Sequence, residues 1–409
     1  MASSASNLDT SVKDEPIANG IGVSDAAAAN NTNDAEKSMA SLEPVISGKP
    51  IPPPDQYYTS GGGIKDQTSS STIAWIGSLQ AFLLMFGAAL TGTLYDSGYF
   101  RHMMWVGTFM MVFGLMMTSL ANKYWQFILA QSLCVGGGMG LLALGALATP
   151  GTCTGASIGG IVFPIALRHL IPQVGFGWAV RILGFIVLAV LVVPLSVSRQ
   201  RLRPNKRKTL IDFKSLTQIE FGFYWLSIFL SFLGFFTFYT FIESWVIYTN
   251  LDTHGLPPYY ILAMVNAASS FGRIGPNFVA DKVGPLNIQA PATFISGILV
   301  LTWIPAHSMG SVVTIAVLYG FFSGSLVSIP PTAIASMTSN MSEFGGRIGI
   351  VFLAMAFGSL IGSPVAGAIV QSGGYDKAKV YAGVMIIAGS VTMVIARVIK
   401  TGPKLWVKA

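Results

Sequence analysis

Eleven stretches of this sequence are apolar, and most are long enough to cross a lipid bilayer as helices. A spanning helix needs about 20 predominantly apolar residues to cross a hydrocarbon core of about 30 Å. The composition agrees, since 52% of the residues are hydrophobic, 10% are charged and the mean hydropathy is +0.62. The runs are long and rich in Leu, Ala and Gly, which favours helices over strands. We therefore predict an all-α polytopic membrane protein with spans at 74–94, 103–121, 125–148, 155–172, 176–197, 222–249, 257–280, 286–305, 311–336, 346–370 and 377–398.

Small residues recur four positions apart within several of these spans. Such pairs lie on one helix face and allow a neighbouring helix to approach closely. The sequence therefore predicts close helix packing at Gly136/Gly140, Gly155/Gly159, Gly320/Gly324 and Gly358/Gly362.

The segment before the first span differs in composition from the rest. Residues 1–72 hold nine acidic and four basic residues and are rich in Ser, Asn, Ala and Pro. This composition predicts a disordered N-terminal tail. No charged n-region precedes a short apolar h-region, so we expect no cleavable signal peptide.

Basic residues concentrate between the fifth and sixth spans, in the order Arg199, Arg201, Arg203, Lys206, Arg207, Lys208 and Lys214. Between two spans, the positive-inside rule explains such a cluster better than nucleic-acid binding does. The loop at 198–221 and the tail at 399–409 are therefore expected in the cytoplasm, with the protein in the plasma membrane. The loop divides the spans into an N-terminal bundle at 73–197 and a C-terminal bundle at 222–398.

A weak internal repeat supports this division. Gly92, Asp96 and Gly98 end the first span, and Asp281 and Gly284 end the seventh. At these residues the chain resembles the major facilitator superfamily, whose loop motif has the form G-x-L-x-D-x-x-G. The resemblance implies two parallel bundles around a site at the middle of the membrane. It also implies that Asp96 and Asp281 help to stabilise one gating state, with an anion favoured at a helix N-terminus.

A closer resemblance covers most of residues 71–398. The segment 71–80, Ser-Thr-Ile-Ala-Trp-Ile-Gly-Ser-Leu-Gln, and the segment 256–273, which begins Leu-Pro-Pro-Tyr-Tyr, look like the fungal branch of the monocarboxylate-transporter-like family. That resemblance implies twelve helices and alternating access for a small organic solute. The solute would be a monocarboxylate, another organic anion or an exported secondary metabolite.

Two departures from that family pattern stand out. Asp281 lies 59 residues after the start of the span at 222, and the same offset before Asp96 falls near residue 37, where the sequence cannot span. The family's first helix is therefore expected to be absent. The distance from Asp96 to Ser157 is 61 residues, against 78 from Asp281 to Ser359 in a similar S-x-x-G setting. The fifth helix of the family pattern is thus expected to be shortened.

One span carries a polar stripe that sets the candidate solute site. The stripe consists of Asn266, Ser270, Arg273, Asn277 and Asp281. Their spacing places them on one helix face, and exposing such a polar face to lipid would cost free energy. Arg273 lies roughly 12 Å deep, at 1.5 Å per residue from Asp281. It is either a structural or snorkelling cation, or a guanidinium that binds a carboxylate. The family resemblance supports binding, although Ser269 stands where the family has an Asp.

Three further features in the spans are candidates for function. The stripe at Trp225, Phe229, Phe232, Phe236, Tyr239 and Glu243 has helical spacing. The aromatic residues are either packing elements or an apolar wall of a solute path, with Phe236 and Tyr239 the candidate solute contacts. Glu243 and Arg181 are candidates for coupling, by proton binding or by pairing with an opposite charge; each is otherwise a structural or solvated group.

Other classes of function are disfavoured. The four histidines are scattered, the two cysteines fit no metal-ligand spacing, and neither H-E-x-x-H nor a P-loop is present. We expect no enzyme, no cofactor and no metal site. The predicted function is secondary transport of a small organic solute, with a proton as a second candidate partner. The alternative is an inactive or sensor-like membrane paralogue.

Overall fold

The computed structural model of the chain describes residues 70–96, 99–147, 151–197, 213–253, 255–338 and 343–402. Within these ranges all regular structure is helical, which confirms the predicted fold class. The predicted tail lies outside the described residues up to residue 69, and the first helix begins at Ser70, just before the predicted boundary. The basic loop up to residue 212 and the C-terminal lysines at 404 and 408 also lie outside the described residues.

Five helices make up the N-terminal half, which we define as residues 70–197. A single glycine, Gly175, interrupts a long helical run with a positive φ of 77° and separates the fourth helix from the fifth. The third helix includes a π-helical stretch at Ile128–Val135. The helices are α1 (Ser70–Asp96), α2 (Phe100–Thr118), α3 (124–147), α4 (151–174) and α5 (176–197).

Six helices make up the C-terminal half, residues 219–402. A second glycine, Gly374, separates the last two helices in the same way, with a φ of 81°. Pro330 begins a short second segment of the ninth helix. The helices are α6 (Ile219–Tyr248), α7 (Tyr259–Val283), α8 (Pro285–Thr302), α9 (309–336), α10 (344–373) and α11 (375–401).

This arrangement fits the eleven predicted spans. Eight helical runs among the described residues are long and apolar enough to cross a membrane. Two of the eight each contain two helices joined at a glycine, and α7 is long enough but more polar. Several predicted lengths also change, and four helices are clearly longer than predicted: α1 covers 70–96 rather than 74–94, α4 151–174 rather than 155–172, α10 344–373 rather than 346–370, and α11 375–401 rather than 377–398.

The two halves repeat the same helix packing. In the N-terminal half, α3 meets α1 at Gly140, where an added Cβ would lie 2.9 Å from the Cα atom of Gly87. In the C-terminal half, α9 meets α7 at Gly320, where an added Cβ would lie 2.3 Å from the carbonyl oxygen of Val265. Side chains cannot fit at either contact, so glycine lets the helices touch along their backbones. The prediction of close packing is confirmed at Gly136/Gly140 and at Gly320/Gly324.

The other two predicted glycine pairs differ from each other in their packing. Gly358 and Gly362 on α10 lie against α6, and an added Cβ on Gly362 would lie 2.3 Å from the carbonyl oxygen of Leu233. On α4, no described atom lies within 4 Å of a Cβ built on Gly155, and Gly159 meets only Phe163 of its own helix. Packing is therefore confirmed on α10, whereas no described helix approaches α4 at Gly155 or Gly159.

Two helix pairs bring the halves together. α1 packs on α10, where the rings of Phe82 and Phe357 have centroids 5.5 Å apart and Gly349 approaches the carbonyl oxygen of Ala89. α4 packs on α7, where the Asn266 side chain approaches Gly160. The polar face of α7 thus lies beside the boundary between the halves.

Candidate functional site

α7 presents two chemically different faces. Phe271 and Phe278 are 69% and 70% exposed and mark an apolar face directed away from the protein, where lipid is expected. The polar residues of the predicted stripe are partly buried instead, and they are Asn266, Ser270, Arg273 and Asn277. Because side chains three and four positions apart share a helix face, this division follows directly from the sequence spacing.

Arg273 lies near a small cluster of hydroxyl groups on α6, α7 and α9, to which Tyr239 connects it. The Tyr239 hydroxyl on α6 lies 3.4 Å from the Ser323 hydroxyl on α9. The same tyrosine interacts electrostatically with Arg273 and with the hydroxyl of Ser269, both on α7. The cation and the two serine hydroxyl groups thus have Tyr239 as a common neighbour, and each hydroxyl can both donate and accept hydrogen bonds.

The other polar residues of α7 bond mainly to backbone. Asn277 donates to the carbonyl oxygen of Arg273 at 2.6 Å, and Ser270 donates to that of Asn266 at 3.3 Å. Asn266 donates to Leu262 at 2.9 Å within its own helix and to Gly160 of α4 at 3.3 Å. Asn266 therefore helps to join the halves, while Ser270 and Asn277 satisfy carbonyls one turn earlier.

The aromatic stripe of α6 divides between packing and the site. Phe232 is fully buried and lies against Gly358 of α10, so it is a packing residue. Trp225 donates its indole N–H to the carbonyl oxygen of Ile350 at 2.9 Å. Phe236 is partly buried and meets the Phe235 ring edge-on, with centroids 4.9 Å apart. Of the two predicted solute contacts on α6, only Tyr239 has a described interaction with Arg273.

Glu243 has a partner that sequence spacing did not identify. Arg168 on α4 donates a charge-assisted hydrogen bond to the Glu243 carboxylate on α6. The guanidinium carbon of Arg168 also lies 5.7 Å from the centroid of the Tyr259 ring, at the start of α7. Glu243 is therefore an ion-paired residue at the boundary between the halves.

Arg181 occupies a different region. It donates from Nε to the Ser119 hydroxyl at 3.0 Å, after the end of α2. Its guanidinium carbon lies 5.0 Å from the centroid of the exposed Trp178 ring. These contacts join α5 to the end of α2 and place Arg181 outside the cluster around Arg273.

The residues predicted for gating are described only in part. Gly284 is buried and adopts a φ of 109° between α7 and α8, a conformation that favours glycine. Asp281 is exposed at the end of α7. The backbone of α1 continues through Gly92 to Asp96, but the side chain of Asp96 and the whole of Gly98 lie outside the described residues.

The described cavities do not coincide with this cluster. A groove of about 490 Å³ between α7 and α9 is lined by apolar side chains, including Phe271, Val317 and Phe321, on the face directed away from the protein. Among the described residues, no three His, Cys, Asp or Glu side chains come together in a way that could hold a metal ion. The polar cluster at Arg273 thus remains the candidate solute site.

Sequence comparison finds several curated relatives from fungi. The MFS-type transporter dbaD of Emericella nidulans is 37% identical over 351 residues, covering 83% of this chain and 78% of that protein. The aspyridones efflux protein apdF of the same organism is 34% identical, with coverage of 79% and 69%. The agnestins efflux protein AgnL12 of Paecilomyces divaricatus is 34% identical, with coverage of 87% and 84%. No protein-family model matches the chain.

Solved structures with the same fold are far more distant in sequence. A mutant of the nucleoside transporter NupG is 12% identical with a TM-score of 0.63, covering 83% of this chain and 93% of that one. The human organic anion transporter MFSD10 is 14% identical with a TM-score of 0.56, covering 83% and 88%. At these identities the similarity shows a shared fold alone.

Proposed function

The chain belongs to the major facilitator superfamily of membrane transporters, and we propose that it exports a small organic anion, such as a secondary metabolite, by alternating access. The observation that carries this proposal is the naming of relatives at 34% identity as efflux proteins for secondary metabolites. These relatives are named as transporters rather than enzymes. The monocarboxylate-transporter-like branch is our proposed subfamily, on the segments at 71–80 and 256–273.

Arg273 is the proposed solute-binding cation. It lies on the polar face of α7 and interacts electrostatically with Tyr239, whose hydroxyl neighbours Ser269 and Ser323. A guanidinium can hold a carboxylate through two parallel hydrogen bonds, and the hydroxyl groups can orient the rest of a polar solute. Ser270 and Asn277 lie on the same face, Asn266 lies at the boundary between the halves, and Phe236 is the proposed apolar contact.

The test begins with flux of a panel of organic anions in vesicles that contain the wild-type protein. For an anion that is moved, solute affinity should fall from wild type to Arg273→Lys and again to Arg273→Gln, since lysine keeps the charge but loses the two-point geometry. The matched controls are Arg101→Lys and Arg101→Gln, which alter an exposed arginine of α2. Equal affinity with Gln at position 273, at equal protein abundance, would show that Arg273 has a structural role.

The proposed orientation places the segment 198–221 and the C-terminus in the cytoplasm of a plasma-membrane protein. The positive charges between α5 and α6 support this assignment. Epitope tags at both positions should be labelled only after permeabilisation. With eleven spanning helices, a tag on residues 1–69 should be labelled in intact cells. Labelling of the basic segment in intact cells would show that the true orientation is the reverse of the proposed one.

A second candidate function is a membrane paralogue that does not transport. The observation in its favour is the face of α4 around Gly155, which no described helix covers. A missing helix at that position would remove part of the wall of a central cavity. Absence of flux for every anion in the panel, by a protein that reaches the membrane and remains folded, would favour this alternative.

A further inference from the structure

An ion pair joins the two halves at the end of the molecule where α4 and α6 end and α7 begins. Arg168 lies near the end of α4, Glu243 near the end of α6, and Tyr259 is the first residue of α7. Arg168 contacts both partners, through a charge-assisted hydrogen bond to Glu243 and through its position over the Tyr259 ring. Both contacts therefore run from the N-terminal half to the C-terminal half.

The ion pair is largely buried but retains some exposure to solvent. The side chains of Arg168 and Glu243 are 23% and 13% exposed. Partial burial strengthens the attraction between the charges relative to a surface pair, and it leaves a route by which water can hydrate them when they separate. A contact of this kind can stabilise one arrangement of two bodies and still be reversible.

Other described ion pairs lie within one half. Glu343, just before α10, pairs with Arg347 at 3.3 Å, and Asp376 pairs with Lys379 on α11 at 3.0 Å. Relative motion of the halves leaves such pairs intact. The Arg168–Glu243 pair differs because that motion must break it.

We infer that Arg168 and Glu243 form the gate that closes this side of the transporter, with Tyr259 as a second anchor for the guanidinium. The inference rests on the proposed alternating access. Opening this side requires α4 to move away from α6 and α7. That movement parts the guanidinium from the carboxylate and from the ring at once, so the three side chains stabilise the closed arrangement. The basic segment, by contrast, follows α5 at the opposite side of the membrane.

Accessibility to an impermeant thiol reagent tests the gate without requiring a known solute. The reporter is Thr240→Cys, one turn before Glu243 on α6, in a full-length protein that also carries Cys134→Ser and Cys153→Ser. In sealed cells, Glu243→Gln or Arg168→Gln should increase the rate of reporter labelling by about tenfold, a factor that typical coupling free energies can produce. The exchange of both charges, Arg168→Glu with Glu243→Arg, should return labelling towards the wild-type rate.

The matched control is Glu343→Gln, which breaks a pair within the C-terminal half at the other end of the molecule. It should leave reporter labelling unchanged. The gate is overturned if Glu243→Gln labels no faster than wild type, if the control increases labelling equally, or if the charge exchange labels as fast as either single variant. Because the readout is accessibility, a gate can be established even if every flux measurement fails, which separates this inference from the proposed export.

Discussion

In the C-terminal half, α6 fills the face of α10 that carries Gly358 and Gly362, whereas in the N-terminal half the face of α4 that carries Gly155 and Gly159 meets no described helix. The difference extends through both halves. In the apolar helical runs, 44–61% of residues are buried in the C-terminal half and 22–39% in the N-terminal half. The apolar runs of the C-terminal half are thus packed more densely than those of the N-terminal half. The comparison separates positions that a neighbouring helix covers from positions that no described helix covers.

The largest effect is expected at the two glycine faces. Gly362→Ala places a methyl group 2.3 Å from the carbonyl oxygen of Leu233, so α6 and α10 must separate at a cost of about 3 kcal/mol. Gly155→Ala should leave stability unchanged or slightly higher, since nothing described lies near it and alanine favours a helix. Melting temperatures from fluorescence-detected size-exclusion chromatography measure both. An equal loss in both variants would mean that a helix covers α4 in the membrane.

Substitution of the two hinge glycines, Gly175 and Gly374, should affect the stability of the two halves equally. Gly175 and Gly374 have nearly the same backbone angles, and a Cβ built on either meets nothing within 4 Å. Alanine at either position therefore suffers backbone strain alone, and each variant should lose about 2 kcal/mol. The same melting assay compares them. A much larger loss at Gly374 than at Gly175 would show that the two hinges are not equivalent.

A smaller effect is expected at the cations that follow the hinges. Lys379 is almost fully buried, and its Nζ lies 4.1 Å and 4.8 Å from the ring centroids of Trp245 and Trp303. Arg181 contacts Trp178, which is 57% exposed. Lys379→Met should cost about 1–2 kcal/mol, more than Arg181→Met, because a cation over an aromatic ring is worth more when desolvated. Equal melting temperatures for the two variants would contradict this ranking.

The smallest effect on stability is expected at Asp96 and Asp281, the aspartates of the repeated motif. Asp281 is exposed, so Asp281→Asn should leave the melting temperature unchanged while it alters the rate of transport, if the residue stabilises one access state. Asp96→Asn should behave in the same way if the repeat is functional. The comparison requires flux per molecule at the membrane. Loss of activity in proportion to loss of protein would assign a structural role to either residue.

Local patterns in the sequence were sufficient for the helices and for one face of the site. The spacing of Asn266, Ser270 and Arg273 predicted which side of α7 avoids lipid, because helical periodicity fixes that side without knowledge of the neighbours. The break between the last two spans was also predicted, around the glycine that the structure places at the hinge.

Contacts between distant helices could not be predicted in the same way. Arg168 and Glu243 are 75 positions apart, and nothing in either span identifies the other as its partner. Ser323 joins Tyr239 from 84 positions away. An arginine inside an apolar run was the available signal, since a charge in a membrane helix usually has a partner. The identity of the partner depends on which helices become neighbours, which periodicity does not encode.

The glycine hinges also affect which parts of the chain are accessible to reagents outside the membrane. With one residue between α4 and α5, and one between α10 and α11, a protease or antibody that approaches these corners meets helix ends instead of a flexible chain. The turn between α2 and α3 on the same side is more accessible, with Asn122 and Lys123 exposed. Epitope insertion or amine-directed biotinylation is therefore better aimed at that turn, where an added group need not force two helices apart.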